Sequence, residues 1–147
     1  LYMDGSHTRK VIAVDWGAKR IGLAISDSTQ TLARPLTIIE HKSRKENAKR
    51  IIEIANEMGA DIVIIGVTYS DGNQLSPSGR SAFRLAKEVE AYSNLRVFLW
   101  DEEFTTVEAK TAHILSGKSR EKKRKHYDDT AAAVLLQDYL DRNKNAS

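Results

Sequence analysis

The sequence contains no cysteine in 147 residues, which excludes disulfide frameworks, thiolate zinc sites and thiol nucleophiles together. Any metal must therefore be held by oxygen or by histidine. No apolar run approaches the ~20 residues that a membrane-spanning helix needs, and the first residues lack the apolar stretch of a signal peptide; the expectation is a cytoplasmic protein, neither secreted nor membrane-embedded. No internal repeat and no linker divides the chain. What remains is an ordinary globular composition, 41% hydrophobic and 29% charged, at a length that buries a core without staples. One domain over residues 9–142 is expected, with residues 1–8 and 143–147 as flexible termini.

The formal net charge is only +3, a weak argument for a polyanionic partner by itself. Its distribution says more. Lys118, Arg120, Lys122, Lys123, Arg124 and Lys125 face a single acid, Glu121, within one short segment. Such a run is ordinarily a solvated loop. This one leads directly into the acidic pair Asp128 and Asp129.

Hydrophobic patterning orders the rest. Val11 to Asp15 and Ile21 to Ser26 are short apolar runs at hairpin distance around Trp16-Gly17-Ala18-Lys19-Arg20. Thr31 to Ile39 is interrupted by Pro35, which suits an edge strand. Ser43 with Glu46 is a capping-box pattern, and Ala48, Ile51, Ile52 and Ala55 then recur with helical spacing until Gly59. Ile62 to Gly66 is a β-branched run of the kind found in central, parallel strands. Val67 to Ser78 reads as a long loop, Gly79 to Tyr92 as a helix, and Arg96 to Trp100 as a fifth strand. Thr105 with Glu108 opens a helix to about Ser116, and a last helix runs from Asp129 to about Arg142. The order predicts an α/β fold: a three-stranded antiparallel meander plus parallel strands in one mixed five-stranded sheet, with helices on both faces.

Three acidic groups punctuate this order: Asp15 at a strand end, Asp101-Glu102-Glu103 where the fifth strand ends, and Asp128-Asp129 at the start of the last helix. Each has an ordinary explanation. A strand-end aspartate often serves a turn, and acids at a helix start often cap it, which is a strong reading for Asp129. Together, with no cysteine and no histidine pair, they suit hard cations with oxygen ligands. Two magnesium ions about 3.5–4 Å apart activate water and stabilise both oxygens of an in-line phosphoryl displacement, so phosphodiester hydrolysis is the natural reaction. His126 beside the third group is either a supporting group or an exposed loop histidine.

The chain resembles the YqgF-type family, also called RuvX or Holliday junction resolvases and described as pre-16S ribosomal RNA nucleases, within the ribonuclease H-like superfamily. The resemblance runs from about Arg9 to Asp141. It rests on Val14-Asp15-Trp16-Gly17-Ala18-Lys19-Arg20-Ile21-Gly22-Leu23-Ala24 with Ser26-Asp27, on Asp101-Glu102-Glu103-Phe104-Thr105-Thr106-Val107-Glu108-Ala109, and on the stretch from Asp128 to Leu140. It implies a metal-dependent nuclease, an endonuclease, with Asp15, Glu102 and Asp128 as catalytic metal ligands, Asp71 and Asp129 as alternates, and Mg2+ or Mn2+, two ions with substrate bound. The implied partner is precursor ribosomal RNA or branched DNA; Lys19, Arg20, Lys122, Lys123, Arg124 and Lys125 are the expected nucleic-acid contacts, the basic run because it feeds directly into Asp128. The implied protein is a monomer or homodimer in the cytoplasm. Two departures stand out: Glu103 occupies the place of a common arginine, and the loop after Gly66 begins Val67-Thr68-Tyr69 where Leu-Pro is more typical. The second acid of this superfamily usually ends the fourth strand, but that strand ends here at Gly66. Glu102 must reach in from the next strand, or Asp71 must take its place. Two other functions compete: a nucleic-acid-binding protein of the same fold that cuts poorly, and phosphotransfer of the actin-like kinase type, whose Asp-x-Gly hairpin cradles phosphate.

Overall fold

In the computed structural model, which describes residues 9–102 and 131–143, the apolar runs flanking Gly17 form β1 (Lys10–Trp16) and β2 (Arg20–Ser26). They pair antiparallel from Ile12 opposite Ile25 to Trp16 opposite Ile21. A β-carbon on Gly17 would run into the Arg20 carbonyl oxygen, so the tight turn needs a residue without one. The β2–β3 connection is organised by Asp27. Its carboxylate accepts from the Thr31 and Leu32 amides at 2.8 and 3.2 Å and from the Thr29 hydroxyl at 2.8 Å. Those bonds, led by the Thr31 amide, hold its carboxyl below the ordinary carboxylate range.

β3 (Ala33–Glu40) is the edge strand expected from Pro35. The pairing skips Leu36, with Leu23 opposite Thr37 and Ala24 opposite Pro35. Proline thus sits beside a bulge on an edge, where a missing donor does least harm. α1 (Arg44–Met58) starts with the expected capping box: the Ser43 hydroxyl accepts from the Glu46 amide at 3.1 Å and the Glu46 carboxylate accepts from that hydroxyl at 3.1 Å. Gly59, at φ 74°, closes it.

β4 (Ala60–Val67) is parallel to both its neighbours, β1 and β7 (Arg96–Asp101), in a sheet of order β3-β2-β1-β4-β7. The segment after it departs from the expected long loop. It contains a small hairpin, β5 (Tyr69–Ser70) with β6 (Gln74–Leu75), turned through Gly72 and Asn73 at φ 80° and 63°. Strands of two residues are too short to show any period in sequence. α2 (Pro77–Ala91) also begins two residues before the expected Gly79. Ser76 caps it, accepting from the Gly79 amide at 3.0 Å, and Pro77 occupies the first turn, where a backbone N–H has no helical partner to lose.

Two cores result. On one face α1 and α2 cover Ile12, Val14, Val63 and Ile65. On the other, a helix over residues 131–143, called α3 here, covers Val11, Ala13, Ile62 and Ile64 with Ala132, Leu135, Leu136, Tyr139 and Leu140. The helix expected between Thr105 and Ser116 and the basic run lie outside the described residues.

Candidate active site

Side chains alternate along a strand. Val11 and Ala13 belong to the α3-side core, so Asp15 projects to that same face, at the end where β1 enters its hairpin. The pairing sets glycine on both sides of it. Gly22 lies opposite on β2, and because Val14 is level with Ile65 on β4, the next residue along, Gly66, flanks Asp15 on the other side. Neither neighbouring strand sends a side chain across the carboxylate.

Glu102 comes to this place from β7. Gly66 is level with Trp100, Trp100 packs on the α3-side core, and alternation carries Glu102 to the same face. A β-carbon on Gly66 would lie 2.7 Å from Glu102 Oε1, 3.1 Å from its Cγ and 2.9 Å from Leu135 Cδ2. The Glu102 side chain therefore lies across β4, in the space an ordinary side chain at position 66 would fill, over the strand adjoining that of Asp15. Asp101, level with Val67, alternates to the opposite face. Asp71 is exposed in the turn between β5 and β6.

α3 is fixed against the same region by polar contacts as well as by its apolar stripe. Trp100 Nε1 donates to Asp138 Oδ2 at 3.0 Å, and its ring meets Tyr139 edge-on at a centroid distance of 5.2 Å. Burial pushes the Tyr139 phenol above its ordinary value, with Arg96 opposing. The Gln137 amide reaches the start of β3, donating to the Thr31 carbonyl at 2.9 Å and accepting from the Ala33 amide at 2.9 Å. The angle of α3 over β1, β4 and β7 is thus set from both flanks.

The donor set fits a hard divalent cation. Asp15 and Glu102, both half-buried, supply only oxygen, and the missing side chain at Gly66 leaves a cradle that the Glu102 carboxylate occupies. Among the described residues no group of three or more His, Cys, Asp or Glu side chains is gathered. The expected third acid, Asp128, its alternate Asp129, and Lys122, Lys123, Arg124 and Lys125 lie outside the described residues. Lys19 and Arg20 are exposed at the β1–β2 hairpin, on the sheet edge that Asp15 approaches. Sequence reasoning passed over Gly66 as a mere strand end. A glycine closing a β-branched run is the signal that something approaches the backbone there.

Residues 9–142 match the sequence model of the RuvX family, described as Holliday junction resolvase. A protein of Thermoanaerobacter pseudethanolicus named "Putative pre-16S rRNA nuclease" is 36% identical over 137 residues, covering 92% of this chain and 99% of that one. A Clostridium botulinum protein of the same name is 34% identical over 133 residues, covering 90% and 97%. In fold the chain is similar to T. thermophilus RuvC solved with a Holliday junction substrate, with TM-score 0.57, 15% identity, and coverage of 92% and 96%. It is likewise similar to a fowlpox virus resolvase solved with Holliday junction DNA, with TM-score 0.57, 18% identity, and coverage of 91% and 98%.

Proposed function

The chain belongs to the RuvX family of Holliday junction resolvases, and from that premise we propose that it is a metal-dependent endonuclease in which Asp15, Glu102 and Asp128 hold the catalytic cations. The observation that carries this reading is the Glu102 carboxylate lying over Gly66. A five-stranded sheet could have filled that position with a core side chain. Instead two acids from strands that are not neighbours project to one face at the same end of the sheet, and collecting carboxylates is costly unless a cation compensates them. Asp128 opens the stretch Asp128 to Leu140 that carries the family resemblance, within the residues that match the family model; this supports it as the third ligand.

Bound Mg2+ or Mn2+, two ions with substrate in place, supplies an activated water and neutralises the charge that builds on phosphate oxygens during in-line displacement. The chain's own residues provide position. Asp15 is held by a strand paired on both sides, and Glu102 is steered by the floor at Gly66 and the wall at Leu135. Lys19, Arg20 and the basic run from Lys122 to Lys125 are placed in this reading to hold substrate phosphates. The substrate is pre-16S ribosomal RNA at its 5′ end or branched DNA, which places the protein in the cytoplasm. No helix among the described residues is long and apolar enough to cross a membrane.

The test compares cleavage of labelled precursor ribosomal RNA and of a four-way DNA junction with added Mg2+, Mn2+ or chelator. Asp15→Asn keeps the shape of the side chain and removes its charge, so it should fold as the parent does and lose cleavage. Undiminished turnover in that variant would remove Asp15 from the mechanism. A second reading, a nucleic-acid-binding protein that cuts poorly, is favoured by Glu103 standing where the family resemblance implies arginine. Binding of either substrate without metal-dependent cleavage would select it.

A further inference from the structure

Trp16 follows Asp15 on β1 and therefore points to the opposite face of the sheet, where it packs against the α1–α2 core. There it forms one wall of a cavity of about 450 Å3 at the same edge of the sheet as the acids. Arg44 at the start of α1, Ser78, Ser81 and Arg84 in the first turns of α2, and His41 after β3 complete the lining, which contains no carboxylate. This distinguishes it from the cavity between β3 and α1, where Glu40, Glu46 and Glu53 alternate with lysine and arginine. Its size falls within the ~300–1,000 Å3 of sites that take small organic ligands.

We propose that this cavity holds one unpaired nucleotide of the nucleic-acid substrate, a second site on the far face of the sheet from the cleavage site. The proposal rests on the nuclease reading for the identity of the substrate and on the cavity itself for the contact. The chemistry of the lining divides as a nucleotide does. Trp16 and His41 offer ring surface held in place by their mutual edge-on contact, with centroids 4.7 Å apart and planes at 73°. Any base can stack on such a platform regardless of sequence. Arg84 is exposed and has no ion pair among the described residues. Arg44 touches Glu88 only at 3.8 Å with half its side chain exposed, so guanidinium donors remain for phosphate. The two serine hydroxyls add sugar or phosphate contacts. His41 contributes one further sign of an incomplete site: its Nδ1 is buried with no hydrogen-bond partner.

The base must be unpaired because a paired base has both faces occupied by its stack. Position supplies the link to cleavage. Asp15 and Trp16 are consecutive, so a strand passing over the end of β1 meets the acids on one face and this cavity on the other. A branched or looped nucleic acid provides such a strand, and a continuous duplex does not.

The experiment uses the full chain with chelator present, so that no cleavage is needed. Anisotropy titrations compare a labelled unpaired pentauridylate with an abasic phosphodiester chain of equal length. The pentauridylate should bind roughly 5- to 150-fold more tightly, the range that stacking of one base provides. Arg44→Ser with Arg84→Ser, both surface changes, should flatten the salt dependence of pentauridylate binding by about 1.4 log units per log unit of salt, two single-strand phosphate contacts' worth. Trp16→Leu should abolish the preference for bases while leaving that salt slope in place. Equal affinity for the two oligomers, an unchanged slope in the double arginine variant, or equally tight binding of hexaglutamate would each overturn the proposal. If four-way junctions and precursor RNA still bind and are cut, the nuclease reading survives that failure. If the wild-type chain binds no nucleic acid at all, the proposal and the nuclease reading fall together.

Discussion

Gly66→Ala is the smallest change that tests how the two described acids are brought together. Gly66 has no backbone need for glycine; among the described residues only Gly59 and Gly72 are glycines with positive φ. The added methyl would instead occupy space held by Glu102. To move from 2.7 Å to ordinary contact at 3.4 Å, the Glu102 Oε1 must shift by about 0.7 Å, and Leu135 must yield by a similar amount. Overpacking of this kind costs about 1–3 kcal/mol, offset in part by the ~0.5–1 kcal/mol gained when alanine replaces glycine in a strand. A net loss between about 0 and 2.5 kcal/mol follows, read from the urea midpoint with unchanged slope. If Glu102 holds a catalytic cation as proposed, cleavage should fall much further, on the order of 100-fold, because a group displaced by nearly an ångström loses its alignment. Stability and activity are then separated by a double-mutant cycle with Glu102→Gln. Where the carboxylate is already neutralised, adding Gly66→Ala should cost little more activity, since both changes act through the same atoms. Full activity in Gly66→Ala, or an equal loss in both backgrounds, would refute the argument that Glu102 works from above Gly66.

Trp100→Phe keeps the apolar ring and deletes the donor to Asp138, so it should destabilise the chain by about 2 kcal/mol in urea unfolding, as for a hydrogen bond to a charged group; no change would show that α3 is held by its apolar stripe alone. Asp27 has a folded-state pKa below its unfolded value of 3.8, so its contribution is present above that pH and lost as pH falls through the folded value. The melting temperature of Asp27→Asn should lie below that of the parent at neutral pH, and the gap should close in acid; a gap that widens in acid contradicts the assignment. Changing Lys122, Lys123, Arg124 and Lys125 to serine should weaken nucleic-acid binding about equally for all sequences and flatten its salt slope by up to about four contacts, each worth ~0.9 on duplex or ~0.7 on single strands; identical slopes would show that another surface holds the substrate.

Most of the architecture was legible because it rests on local signals. The hairpin around Gly17, the edge position of the Pro35 strand, the Ser43–Glu46 cap and the β-branched run at Ile62 each report on their own neighbourhood. Misjudged regions had signals too short or too ambiguous to read. Two-residue strands carry no period, and a proline after a polar loop suits either a loop or the first turn of a helix. The bulge at Leu36 leaves no mark in composition, since it is a property of the pairing between two strands.

The candidate acids could be named from sequence, because carboxylates at element ends and the absence of cysteine narrow the chemistry whatever the packing. How Glu102 could reach the first strand was beyond it. That answer depends on register: the level of β7 against β4, and of β4 against β1, places Gly66 between the two acids, and only the assembled sheet sets those levels. The same holds for the basic cavity behind Trp16, whose residues come from β1 and its hairpin turn, the segment after β3, α1 and α2, and are scattered between positions 16 and 84. Alternation along one strand sends Asp15 and Trp16 to opposite faces and can be foreseen from the chain. What each meets there was decided by helices that pack only when the sheet exists to receive them.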